Sequence, residues 1–211
     1  MSKLHVCSPC YNADVNKLAL LRDSCNKVGI TLNTYGVNSG YKSNYQIKII
    51  DFIDYLSKVS EDYVLLLDGF DTLVIRGEEN ILLTLSSDVL MLSSKGNAGN
   101  FDYPFPKTSY PYFNTGAILG KVKSLVNCLN YIIQSGDHTD FDKFGYFRAY
   151  AKGMIDIDHG CNLGQLFTGN EQIEVKNKLI YNKETNSYPC IAHWPFKMCG
   201  REAMWKTLNE E

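Results

Sequence analysis

The sequence predicts an α/β protein built on a parallel sheet covered by helices on both faces. Three observations carry that prediction. Short apolar runs alternate with amphipathic helical stretches in the order β-α-β-α-β over the first 70 residues. The third run, "DYVLLLD" (62–68), is apolar without alternation, as a strand buried on both faces must be. The chain has 211 residues, 45% hydrophobic and 21% charged, enough for one substantial core, and no break in composition divides it. A single domain over 1–211 is the economical expectation.

Leu4 to Ser8 reads as the first strand, closed by a turn at Pro9 to Asn12. Residues 14–28 space Val15, Leu18, Leu21 and Cys25 at helical intervals before Gly29. "ITLNTYG" is the second strand. Residues 45–59 form a second helix, with Ile49, Ile50, Ile53 and Leu56 expected on its apolar side. After the buried third strand come the strand "SDVLMLSS" (87–94) and a Gly-, Pro- and aromatic-rich loop, 95–113. "YFNTGAILGK" predicts a short strand and a turn at Gly116, with a helix from about Lys123. "DHTDFDKFGYFRAYAKG" reads as an acidic turn entering a helix, "MIDIDHGCNLGQLF" as a strand with a polar tip, and the tail as strand, turn and short helix.

Composition narrows the functions. A formal net charge of −2 gives no global basic field for nucleic acid or an anionic membrane surface. No apolar run has the length of a membrane span, and "MSKLHVCSPCYNADV" lacks the apolar core of a signal peptide, so a cytoplasmic location is expected. Seven cysteines, an odd number scattered along the chain, argue against a disulfide framework. "CSPC" (7–10) has no second pair of ligands at zinc spacing and no helix directly after it, so strand-end packing is the better reading.

The chemistry-bearing pattern is "YVLLLDGFDTLVI" (63–75), where Asp68 and Asp71 interrupt an apolar run. Carboxylates are costly in a core unless paired or metal-bound. At the C-terminal end of a parallel strand, where such sheets hold ligands, they can present oxygens to Mg²⁺ or Mn²⁺ bridging a diphosphate. Phe70 offers a flat face to a base, and Gly69 permits close backbone approach. Two solvated acids at a strand end would account for this segment alone. Asn114, Thr115 and Gly116 place small polar groups where a sugar could approach; His193 could be a third metal ligand, and Lys197 suits a diphosphate.

Taken in order, "LLLDGFDTLVI", "YFNTGAILG", "IDHGCNLGQLF" and "AHWPFK" resemble the glycosyltransferase domain of procollagen lysyl hydroxylases and related viral and bacterial enzymes, from "LHVCSPCYN" to Lys197. The resemblance implies a GT-A-like (Rossmann-related) fold, a mixed, mainly parallel sheet flanked by helices, and hexose transfer from a UDP-sugar with Mn²⁺ or Mg²⁺. It implies Asp68, Asp71 and His193 as metal ligands, Phe70 against uracil, Ser8 to Tyr11 near the nucleoside, and Lys48 near the donor phosphates. The family's acidic cluster is reduced here to "TDFDKFGYF", leaving Asp140 and Asp142 as acids facing donor sugar and acceptor hydroxyl. A helix-capping role is the competing account of that pair. The chain departs from the family after His193, where Trp194, Pro195 and Phe196 replace a glycine-rich run. Asp158 and His159 are open to either a structural or a functional role.

The acceptor stays open at this point. Hydroxylysine in collagen-like protein follows from the resemblance, and a hydroxymethylated DNA base suits the aromatic loop 95–113, although the acidic balance weighs against phosphate contacts. A non-catalytic nucleotide-binding module and a sugar nucleotidyltransferase are the alternatives, the latter without a glycine-rich triphosphate loop. Sequence leaves the sugar and the oligomeric state undetermined.

Overall fold

The third apolar run and its neighbours are hydrogen-bonded into a six-stranded sheet in the computed structural model, which describes residues 3–11, 15–36, 45–96, 104–135, 141–195 and 198–209. Its strands are β1 (Leu4–Pro9), β2 (Leu32–Tyr35), β3 (Tyr63–Leu67), β5 (Val89–Ser94), β6 (Tyr112–Lys121) and β7 (Asp156–Ile157). Between β3 and β5 lies a short strand, β4 (Thr72–Val74), that belongs elsewhere. The order is β2-β1-β3-β6-β5-β7. The β1–β2, β1–β3 and β5–β7 pairs are parallel, while β6 is antiparallel to both β3 and β5. Five strands therefore run one way and β6 the other, the mixed, mainly parallel sheet that the sequence predicts.

Strand alternation divides the apolar side chains between two layers. Val64, Val89, Met91 and Ile118 meet helices α2 (Tyr45–Leu56), α4 (Val122–Ser135) and α5 (Phe141–Ala151) through Phe52, Leu56, Leu125, Leu129 and Tyr146. Leu65, Leu67, Leu90, Leu92 and Leu119 face the opposite way, onto Leu21 and Cys25 of α1 (Ala19–Lys27) and Ile81 of α3 (Glu78–Leu83). Both faces are dry, which explains why β3 carries no polar alternation.

A second sheet of three strands joins β4, β8 (Gly164–Leu166) and β11 (Ile191–His193) in the order β4-β11-β8. Helix α6 (Met198–Asn209) packs there, with Leu208 against Leu73, Ala192 and Trp194. A hairpin of β9 (Ile173–Lys176) and β10 (Leu179–Asn182) completes the fold.

Several expectations need correction. The segment 63–75 is not one strand with an interruption: β3 ends in the large sheet and β4 begins in the small one. Residues 15–18 form a 3-10 turn before α1. Helix α2 ends at Leu56, and its buried stripe is Ile49, Phe52 and Leu56; Ile50, one position off that stripe, is 48% exposed. No turn occurs at Gly116. Asn114, Thr115 and Gly116 lie inside the ten-residue strand β6, at a bulge where the partner of β5 jumps from Ile118 to Asn114. Helix α3 and the β9–β10 hairpin have no counterpart among the expected elements.

Candidate metal and nucleotide site

The two acids sit where the chain crosses from one sheet to the other. Leu67 pairs with Ala117 at the end of β3, and the Asp68 backbone N–H donates to the Gly116 carbonyl at 2.9 Å. Gly69 and Phe70 then carry the chain across, and Thr72 begins β4 opposite His193 of β11. The Trp194 N–H donates to the Asp71 carbonyl at 2.8 Å, extending that pairing by one residue. This seam brings Asp68, Asp71 and His193 together: one ligating atom from each lies within 4.8 Å of the others.

Each of the three side chains is held differently. Asp68 is exposed, Asp71 half-buried and His193 2% exposed. The Thr72 hydroxyl lies 3.2 Å from His193 Nδ1, and Asp71 Oδ1 lies 3.5 Å from the same nitrogen. Burial pushes His193 down to about 4, so the ring is neutral at pH 7 and this contact is not an ion pair. Burial, reinforced by the neighbouring Asp68 charge, pushes Asp71 up to about 7, opposed by Arg201. Two carboxylates in mutual repulsion beside a neutral imidazole form a donor set suited to a hard or borderline divalent cation. The residues present therefore fit the divalent cation that the sequence resemblance implies.

The other predicted residues fall around this seam unevenly. Ser8 is fully buried at the end of β1, with its hydroxyl beneath Gly69. Tyr11 packs edge-on against Tyr35, with their ring centroids 6.1 Å apart, and lies over Gly36 at the end of β2. Phe70 is half-buried, and Asn114 Oδ1 accepts the Gly116 N–H at 2.8 Å, so the Asn114 side chain shapes the bulge. Thr115 is half-buried beside it. Asp140 and Lys197 lie outside the described residues; Lys48 and Asp142 are placed only by backbone, in α2 and α5.

Asp158 belongs to the scaffold. Its carboxylate accepts the N–H groups of Asn162, Leu163 and Gly164 at 2.9, 2.7 and 3.1 Å, shaping the loop between β7 and β8. His159 Nδ1 lies 2.8 Å from the Tyr110 carbonyl. Cys7 and Cys10 are both buried, and burial pushes the Cys7 thiol far up, opposite to what a redox or metal thiolate requires.

Two residues at the seam carry no sequence signal. Thr72 follows Asp71 in an apolar strand but reaches the histidine. Arg201, on α6, is 4% exposed and donates through Nη1 to the Phe70 carbonyl. A lone arginine 131 residues from its partner forms no motif.

No family model matches the chain. An uncharacterized protein of Acanthamoeba polyphaga mimivirus is 27% identical over 157 residues, which cover 69% of this chain but 34% of that protein. The chain thus spans about a third of that relative's length. Among solved structures, a glycosyltransferase involved in glycosylation of the major capsid of PBCV-1 aligns with a TM-score of 0.54 at 14% identity, over 97% of this chain and 98% of that one. A 4-diphosphocytidyl-2C-methyl-D-erythritol synthase from Anaerococcus prevotii aligns with a TM-score of 0.46 at 10% identity, over 73% of this chain and 85% of that one. The first likeness covers nearly both chains end to end, and the fold is GT-A-like. Among the described residues, no helix is long and apolar enough to cross a membrane.

Proposed function

We propose that the protein is a metal-dependent glycosyltransferase that moves a sugar from a UDP-sugar to a hydroxyl acceptor. The observation that carries this reading is the convergence of Asp68, Asp71 and His193 within 4.8 Å at the seam of the two sheets, in a GT-A-like fold. A cation bound there supplies positive charge to offset what develops on the departing diphosphate. The chain's own residues do the rest. Asp68 and Asp71 hold the cation with oxygens, and His193, held neutral by burial, offers a nitrogen. Ser8, Tyr11 and Phe70 flank the nucleoside position, Lys48 and Lys197 the phosphates, and Asn114, Thr115 and Gly116 the sugar. Asp140 or Asp142 orients the acceptor hydroxyl or takes its proton. The acceptor is hydroxylysine of a collagen-like protein or a hydroxymethylated DNA base.

Titration of UDP into the protein, with Mn²⁺ and with chelator, tests the donor site. Binding that needs metal and vanishes in Asp71→Ala supports the reading; no binding under either condition overturns it. Transfer assays on Asp140→Asn and Asp142→Asn then separate an enzyme from a nucleotide-binding module. An enzyme loses turnover and keeps UDP affinity, whereas a module has no turnover to lose. Acceptor binding that weakens steeply with salt would select DNA over protein.

A further inference from the structure

Arg201 has a place in the cation site that the proposed donor chemistry does not yet use. It is a charged side chain buried to 4% exposure on α6, and its Nη1 donates to the carbonyl of the peptide that joins Phe70 to Asp71. Its Nε–H is buried with no hydrogen-bond partner among the described residues. A guanidinium cannot shed its proton to escape burial, so it needs counter-charge and acceptors. Asp71 supplies part of that charge, and each of the two favours the ionised form of the other. The Nε–H adds an unmet demand for an acceptor.

We propose that Arg201 is a positioning residue that makes occupation of the cation site conditional on the donor's diphosphate. The inference rests on the glycosyltransferase reading and adds to it a coupling between metal and nucleotide. The guanidinium set against Asp68 and Asp71 reduces the negative charge that the pocket presents. A divalent cation arriving alone meets a fixed positive charge that the protein cannot remove, so it binds weakly. A nucleoside diphosphate brings acceptor oxygens and several negative charges. It adds ligand oxygens for the cation and offsets the guanidinium's charge, so each ligand strengthens the other, and linkage requires the strengthening to be mutual. The hydrogen bond to the Phe70 carbonyl ties the charge to the turn that carries both acids, where it interacts with Asp71.

The test is a pair of calorimetric titrations, Mn²⁺ alone and Mn²⁺ with saturating UDP, on wild type, Arg201→Gln and Arg201→Lys. Glutamine keeps a donor for the Phe70 carbonyl and removes the charge; lysine keeps the charge. In wild type, UDP should tighten Mn²⁺ by about tenfold or more, within the usual range of coupling energies. Arg201→Gln should bind Mn²⁺ alone more tightly than wild type and lose most of the tightening by UDP. Arg201→Lys should retain it. A merely structural arginine gives another pattern, in which both titrations weaken together and the thermal midpoint falls; that overturns the inference, as does an unchanged coupling ratio in Arg201→Gln. If glutamine prevents folding, the lysine variant decides: loss of coupling in a folded Arg201→Lys, with its charge intact, overturns the inference, and retention supports it. Wild type that binds UDP with metal but without coupling sinks the inference alone, whereas wild type that binds no UDP sinks the glycosyltransferase reading beneath it.

Discussion

Gly116 and His193 are packed so closely that a Cβ at position 116 would lie 2.3 Å from the histidine Nε2. The strand bulge at Thr115 and Gly116 therefore serves the small sheet as well as the large one. It makes a slot without a side chain, and the imidazole fills it. The other ring nitrogen, Nδ1, is left on the side of Thr72 and Asp71. Gly116→Ala has no way to keep both the bulge and the ring where they are. Small-to-large changes in packed interiors cost about 1–3 kcal/mol. The variant should lose stability by that order in urea unfolding and bind Mn²⁺–UDP at least tenfold more weakly. Unaltered metal binding in a folded Gly116→Ala would show that the ring can leave its slot without consequence.

Asp71 and His193 give the metal-free protein two opposed pH dependences. Asp71 is raised in the folded state to about 7 from 3.8, so its ionisation opposes folding above that range. The opposition fades as pH falls toward the unfolded value. His193 is lowered to about 4 from 6.5, so stability is lost as pH falls from 6.5 toward 4, where the unfolded chain takes a proton and the folded one does not. Asp71→Asn removes the first effect and keeps the second. With chelator present, the variant should melt above wild type at pH 8, and the gap should close as pH falls to 5. It should also bind no Mn²⁺ at either pH. A difference in melting temperature that does not change with pH would mean that Asp71 is not raised in the folded state.

Asp158 lends itself to a prediction of the opposite kind. Three backbone N–H groups converge on its buried carboxylate, and burial still raises it to about 7. Asp158→Ala leaves all three donors without their acceptor, at about 1–3 kcal/mol for each one that water or relaxation does not rescue. We expect a loss of about 2–5 kcal/mol in urea unfolding, with UDP affinity per folded molecule unchanged. A folded Asp158→Ala with normal stability and impaired UDP binding would move this residue into the site.

The contrast between these residues indicates what the chain makes legible. Strand β3, and β5 as far as Leu92, are plain in the sequence because a strand buried on both faces shows an unbroken apolar run. The acids at 68 and 71 are equally plain, since nothing in a core explains them. Strand β6 is hidden by its own bulge: Asn114, Thr115 and Gly116 have the composition of a turn, and only the pairing of Asn114 with Leu92 and the Asp68 N–H bond to the Gly116 carbonyl keep them in a strand. The β9–β10 hairpin is masked by the unusual residues at its tip. Asn177 and Lys178 adopt φ of 51° and 61°, the left-handed pair a tight hairpin needs, without the glycine that usually announces it. Arg201 is not legible at all. Its partner is a backbone carbonyl 131 residues away, and a carbonyl has no letter in the sequence.

Gly69 explains why the acids are separated as they are. A Cβ there would meet Leu18 Cδ2 at 2.3 Å and the Ser8 hydroxyl at 2.6 Å. Both neighbours are fully buried, and Ser8 belongs to a strand that cannot yield without disturbing β2 and β3. The link between the sheets is therefore pressed against the end of β1, and only a residue without a side chain lets the chain carry Asp68 and Asp71 across to where they converge with His193. Gly69→Ala should lift the link away from Ser8 and separate the carboxylates. We expect destabilisation of about 1–3 kcal/mol together with loss of metal-dependent UDP binding. The double variant Gly69→Ala/Ser8→Gly removes one of the two obstructions and should recover part of both. If the second substitution recovers neither, the link is not held by its contact with β1. The spacing of the two acids would then need another cause.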